Sequence, residues 1–191
     1  MSGVQTKSTL QRAAPWAIGL GCVVAAWFVA LITPPDTAAW APFVVEARAD
    51  EPSAGRNLIV TVEDVTRADA VTADDGWRAE GSWVVVDISA EAVTDELRAR
   101  LVTAQLVVEG RVYRATERRP SMIEQSLSIG IPRTGSFGFE LPADATGPAV
   151  LQFALNADTR ADSLIEYRFD LEALSVVAER EILDPDREDA S

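Results

Sequence analysis

Six arginines stand between positions 98 and 119: Arg98, Arg100, Arg111, Arg114, Arg118 and Arg119, with Tyr113 among them. From Asp95 to Arg119 the only acids are Asp95, Glu96, Glu109 and Glu117, so this window is net +2 in a chain of net charge −13. The planar guanidinium fork suits carboxylate and phosphate groups, and a neighbouring aromatic ring can stack on it. The chemistry offered is docking to an anionic envelope polymer or to an acidic surface of a protein partner. The more economical reading is a solvated strand face whose arginines pair with nearby Asp and Glu, at about 0–1 kcal/mol per exposed pair.

Two further constellations carry less. The run NADTRAD spaces Asn156, Asp158 and Asp162 like the opening of a calcium loop. A loop of EF-hand type needs glycine at its sixth position and a bidentate acid at its twelfth. Those positions hold Ala161 and Tyr167, so a turn between strands is the expectation, with no metal. Nearer the N-terminus, Ala17, Gly21 and Ala25 recur every four residues, as do Cys22, Ala26 and Ala30. Small residues at that interval let two helices approach closely, although an ordinary apolar helix also contains them.

The chain has no histidine. That removes the commonest general base and metal ligand, and with them Ser–His or Cys–His nucleophiles and zinc sites of ordinary ligand type. Paired carboxylates remain, but none stands at a telling spacing. The expectation is a non-enzymatic protein with no cofactor. Cys22 is the only cysteine and lies in the apolar run, so no disulfide is expected in the remainder. About 156 residues follow that run, enough for one self-supporting domain.

What must position these groups follows from the apolar run and from the alternation beyond it. Pro15 to Ile32 contains eighteen residues without a charge. As a helix it would span about 27 Å, close to the hydrocarbon core of a bilayer. A cleaved export signal has a shorter apolar region and a small-residue cleavage site, which Thr37-Ala38-Ala39 supplies only poorly. Attachment of lipid at Cys22 would normally be followed by polar chain, whereas ten more uncharged residues follow here. An uncleaved anchor is therefore expected. Lys7 and Arg12 precede the run, while all 30 acidic residues and 15 of the 17 basic ones follow it, leaving −15 beyond against +2 before. Positive charge stays inside, which places the N-terminus in the cytoplasm and the rest outside the cell membrane. Such an acidic domain lacks the basic footprint of a nucleic-acid binder.

The expected order is a cytoplasmic tail over 1–12, a transmembrane helix over 13–33, a proline-containing linker over 34–56, a β-domain over 57–182 and an acidic tail over 183–191. Within the β-domain, period-two alternation puts Leu58, Val60 and Val62 on one face. It does the same for Val84, Val86, Ile88, Ala90 and Ala92. LVTAQLVVEG turns at Glu109-Gly110 into RVYRAT, and SFGFEL, VLQFALN and SLIEYRFDLE follow, with LSVVAEREIL as a last strand. Turn signals fall at Asp74-Asp75-Gly76, at Pro132 to Gly135 and at PADATGP, and Thr94–Arg100 offers at most one helical turn. Short strands at this spacing predict an all-β antiparallel sandwich. Trp83 alternates away from Val84 and, like Trp77, is expected to pack in a core or at an edge.

The order GSWVVVDISAEAV, LVVEGRVYRAT, GSFGFELPADATGPAVLQF resembles an extracellular Ig-like domain-of-unknown-function family. That family occurs on Gram-positive lipoproteins and single-pass membrane proteins, and is similar in fold to the secreted immunoprotective antigens of mycobacteria. The resemblance covers about residues 57–177. It implies an Ig-like β-sandwich outside the cell, and no catalytic set. Where the family usually has a short Asn-containing turn after the strand matching Trp83 to Ser89, this chain has Glu91-Ala92-Val93. The function expected is binding or assembly of another membrane or envelope component; the alternative is an exported or lipid-anchored ligand-binding surface antigen.

Overall fold

The computed structural model describes residues 9–32, 41–123, 125–160 and 162–185, and within the helix the side chains of Trp16 and of 18–31. It divides into two units, residues 1–41 and residues 42–191. The first contains helix α1, Thr9–Ile32. Its described apolar side chains, among them Trp16, Leu20, Trp27 and Leu31, are all exposed. Among the described residues no helix is long and apolar enough to cross a membrane. The stretch of described side chains from Ile18 to Leu31 would rise only about 20 Å. The uncharged run read from the sequence extends past it, to Pro15 and Ile32.

The second unit is a sandwich of two sheets. In chain order its strands are β1 (Phe43–Ala47), β2 (Ser53–Ala54), β3 (Leu58–Thr72), β4 (Arg78–Ala92), β5 (Thr103–Val108) and β6 (Arg111–Arg114). They continue with β7 (Arg133–Leu141), β8 (Pro148–Ala154), β9 (Ser163–Asp170), β10 (Val176–Val177) and β11 (Arg180–Glu181). One sheet runs β1-β9-β8-β5-β6; the other runs β10-β3-β4-β7, with β2 and β11 also on β3. The pairs β2–β3, β3–β4, β4–β7, β5–β6, β5–β8 and β8–β9 are antiparallel, whereas β1 joins β9 in parallel, and β10 and β11 join β3 in parallel.

The alternation read from the sequence builds the main core. Leu58, Val60, Val84, Val86, Ile88, Leu106, Phe137, Phe139, Leu151, Phe153 and Ile165 are buried together between the sheets. The hairpin from β5 to β6 turns on Glu109 (φ 49°) and Gly110 (φ 77°). Positive φ at both turn positions defines the tight two-residue turn that follows the twist of the strands. Two expectations were too narrow. Phe43–Ala47, placed in the linker, is an edge strand, because Val45 and Ala47 pack on the main core beside β9. Leu183 and Asp184, placed in the acidic tail, are bonded to Ser136 and Arg119. The linker residues 34–40 and the tail from 186 onward lie outside the described residues. Thr94–Arg100 forms a turn without helix.

Strand β4 is apolar on both faces, and its outward face gathers a second, smaller core. Trp83 and Val85 lie buried there with Ala68, Val71 and Ile182, and Trp77, Ala79 and Val177 pack against them. Register shifts between Val62 and Asp64 and between Ala68 and Ala70 let β3 change which parity faces outward. Bulges of this kind also bend the strand and raise its twist. The C-terminal strap carrying β10 and β11 then lies along β3 and sets Ile182 over this face. Gly138 makes room for it: a Cβ there would stand 2.7 Å from Ile182 Cδ1. Replacing Ile182 with Ala should lower unfolding stability by about 2–4 kcal/mol in urea titration, since the cavity lies among rigid strands. Gly138→Ala should be destabilising as well, and Gly138→Ala combined with Ile182→Val less so than the two effects added.

Candidate functional site

Strand β6 is short. It covers only Gln105 to Val108 of β5 and stops at Arg114. The chain then leaves this sheet, and the Thr116 amide donates to the Gly138 carbonyl on β7 at 2.8 Å. It comes back to β5 only at Ile123, which bridges Leu101. The edge of β5 from Val102 to Ala104 is left uncovered between those two points. A groove of about 570 Å³ opens there, lined by Thr103, Gln105, Arg114, Thr116, Ser121 and Gln125, with Ile123 and Pro120 as apolar wall.

The groove's polar wall is held by a relay across the sheet. Gln105 Nε2 donates to Gln152 Oε1 (2.7 Å), and Gln152 Nε2 donates to Glu166 Oε1 (2.8 Å). Arg168 donates to the other oxygen of Glu166, whose side chain is only 8% exposed. Register extends this row over five strands, from Glu46 through Glu166, Gln152 and Gln105 to Arg114. The relay uses the amide nitrogen of Gln105 and leaves its carbonyl oxygen without a partner among the described residues; Gln105 and Arg114 are register partners, and both line the groove. Donor fork and fixed acceptor on neighbouring strands suit a carboxylate or phosphate next to an N–H or O–H group. The sequence shows Gln105, Gln152 and Glu166 as outward residues; only their register makes them a row.

The six arginines do not form one surface. Arg114 lines the groove, and together with Tyr113 and Arg118 it also borders an open recess at the corner between β6 and β7. Tyr113 is half-buried against the main core. Arg118 lies 3.7 Å from Glu140. Arg111 stands at the far end of the β5–β6 hairpin, opposite Val108, and Arg98 and Arg100 lie in the turn before β5. Among the described residues Arg98, Arg100, Arg111 and Arg114 have no carboxylate partner.

Arg119 is a clasp. Its side chain is 8% exposed and lies against the groove wall. Nη2 donates to both oxygens of Asp184 at 3.0 Å, Nη1 donates to Asp75, and Asp74 lies 3.7 Å away. The guanidinium also sits 6.0 Å from the Trp77 ring centroid, within range of a cation–π contact. It thus ties the β3–β4 hairpin tip and the C-terminal strap to the segment that crosses between sheets. Burial opposes its charge, but the bonds to Asp75 and Asp184 outweigh this and hold its pKa above the ordinary guanidinium value. The Trp77 amide and then Arg119 hold the Asp75 carboxyl below the usual range.

The remaining candidates keep ordinary roles. Asp158 is ion-paired to Arg160, which holds its pKa down to about 2, and Asp162 accepts from Asn156 and from the Ser163 amide. Among the described residues no group of acids could hold a metal ion. Glu63 is pushed up by burial and then by Asp87 and Asp50, and it does not line the groove. Gly21, Cys22, Ala25, Ala26 and Ala30 are exposed along α1; the side chain of Ala17 lies outside the described ones.

No family model matches the chain, and no curated protein matches it. Among solved structures it is similar to an uncharacterized β-sandwich protein from Clostridium difficile 630. The identity is 10% and the TM-score 0.45, over 72% of this chain and 99% of that one.

Truncating the clasp and truncating the groove arginine should separate cleanly. Arg119→Ala should cost about 1–3 kcal/mol in thermal or urea unfolding, because it strands carboxylates that are only partly exposed. Arg114→Ser, which breaks no ion pair among the described residues, should stay within about 0.5 kcal/mol of wild type.

Proposed function

We propose that the chain is a single-pass cell-membrane protein whose extracytoplasmic, Ig-like β-sandwich works by binding rather than by catalysis. It presents the Arg114 groove to an anionic envelope partner, either a segment of another envelope protein or a polymer bearing carboxylate or phosphate. The observation that carries this reading is an arginine with no carboxylate partner among the described residues, beside a fixed amide acceptor at an uncovered strand edge, in a chain whose portion beyond the apolar run carries −15. An acidic protein surface repels anions at long range, so an exposed guanidinium left without a carboxylate is where one can settle. Support for the anchor comes from the eighteen uncharged residues, from the basic flank before them and from the acidic domain after them. The two-sheet packing, with the chain crossing from β6 in one sheet to β7 in the other, supports the Ig-like arrangement.

Full-length protein should stay with membranes through an alkaline carbonate wash, with an intact mass showing that the chain still begins near Met1. Partner recovered by cross-linking from mild-detergent extracts should fall about tenfold with Arg114→Ser, the loss of a charge-assisted hydrogen-bond pair. Undiminished recovery removes the groove from the account, and full-length chain in the soluble fraction removes the anchor.

A further inference from the structure

One end of the sandwich collects exposed apolar side chains. Leu97 is 93% exposed, Ile131 68% and Ile129 47%. Two hydrogen-bonded loops hold them together. The Ile129 amide donates to Glu96 Oε1 at 2.8 Å, the Leu127 amide donates to the Ala99 carbonyl at 2.8 Å, and Arg100 bridges Ser126. Asn57 fixes the first loop from beneath: its Oδ1 accepts from the amides of Thr94 and Asp95 and from the Thr94 hydroxyl, while its Nδ2 donates to the Asp95 carbonyl. A single exposed apolar side chain is ordinary on a protein surface, whereas several gathered at one end on hydrogen-bonded loops mark an interaction site.

The charges at this end are sorted. Asp95 accepts from the Leu97 amide and Glu96 from the Ile129 amide. Asp158 is taken by Arg160, and Asp162 by Asn156 and the Ser163 amide. Arg98 and Arg100 flank the apolar tip with no carboxylate partner among the described residues. Asp95, Glu96 and Asp162 keep their negative charge, since the groups that donate to them are neutral, but those bonds hold them within their own loops and away from Arg98 and Arg100.

The chain also enters the domain here. β1 begins at Phe43, itself 62% exposed and opposite Ser163, and the Arg56 amide donates to Ser163 Oγ, which brings the start of β3 to the same end. Ten residues, 33–42, separate α1 from β1. The chain thus reaches this end of the sandwich first after α1.

We infer that this end is a lipid-contacting tip, in which Leu97, Ile129 and Ile131 enter the headgroup region while Arg98 and Arg100 sit on anionic phospholipid phosphates. The inference rests on the anchor proposed above. Apolar residues flanked by arginines match the chemistry of a bilayer surface, where the former meet the acyl boundary and the latter the phosphates. The tip then fixes how the sandwich stands, with the Glu109-Gly110 hairpin and Arg111 turned away from the membrane.

The test uses the full-length chain carrying Cys22→Ser, reconstituted into neutral or anionic phospholipid vesicles. An environment-sensitive dye is placed at Leu97→Cys and, at the opposite end, at Glu109→Cys; Ile131→Cys repeats the tip measurement should the first variant fold poorly. Nitroxide-bearing lipid should quench the tip dye and leave the hairpin dye unquenched. Arg98→Ser and Arg100→Ser should each lower the preference for anionic vesicles about fivefold. Protein that floats with vesicles but shows no tip quenching, or equal quenching at both ends, overturns the tip alone. A tip dye that lipid never reaches but that cross-links to another protein in native membranes overturns it in favour of a protein interface. Protein that does not float with vesicles overturns the anchor and the tip together.

Discussion

Strand β4 is apolar on both faces, and neither face can be left to water. Val84, Val86, Ile88 and Ala90 require the opposing sheet, and that requirement alone would give a plain two-layer sandwich. Trp83 and Val85 require cover on the other side, where no third sheet exists. The chain meets this with its own C-terminal segment, laid parallel to β3 so that Ile182 lies over Trp83. Burial of that isoleucine contributes about 1.5–3 kcal/mol, and it also decides where the strap must run. Polar bonds then fix the position: Arg180 pairs with Asp64 and Asp87, Ser136 donates to Asp87 and accepts from the Leu183 amide, and Arg119 closes the end on Asp184.

This requirement decides how the arginines are used. Those that hold backbone segments against one another, Arg119 and Arg180, are paired with two or more carboxylates each. Arg67 serves the same end by donating to the carbonyls of Ala143 and Ala145 and to Ser82. Side chains committed in this way are poor candidates for ligand contact, since a ligand would compete with bonds the fold depends on. What is left for recognition are the arginines at the margins, where β6 ends and where the loops before β5 turn. Position in the topology, more than position in the sequence window, separates the structural guanidinium from the available one.

The inward faces were legible because period-two alternation is a direct consequence of the pleat, and Leu58 through Ile165 behave accordingly. The Glu109-Gly110 turn was legible for a similarly local reason. The second core was not. Its members come from β3, β4 and residue 182, and the shift of parity in β3 depends on bulges that no local pattern announces. The run of six arginines misled in the opposite direction: sequence proximity suggested one patch, yet a hairpin turn before Arg111 and a sheet crossing between Arg114 and Arg119 send them to different places. The edge strand at Phe43 was hidden by the prolines around it, which read as spacer although Phe43-Val44-Val45 is apolar enough to pair. Register is the information missing in each case, and it is set by contacts between segments far apart in the chain.

The same point bears on the groove. A fully extended β6 would have covered β5 up to Thr103 and closed that edge, as an ordinary hairpin does. Instead the chain departs after Arg114 because Thr116 pairs with Gly138 across the gap, and Arg119 must reach the strap to close its clasp. The opening at Val102–Ala104 is therefore a geometric consequence of covering the outer face of β4. The groove and the second core are two results of one folding constraint, and a substitution that loosens the strap should reach the groove through Arg119, a residue that belongs to both.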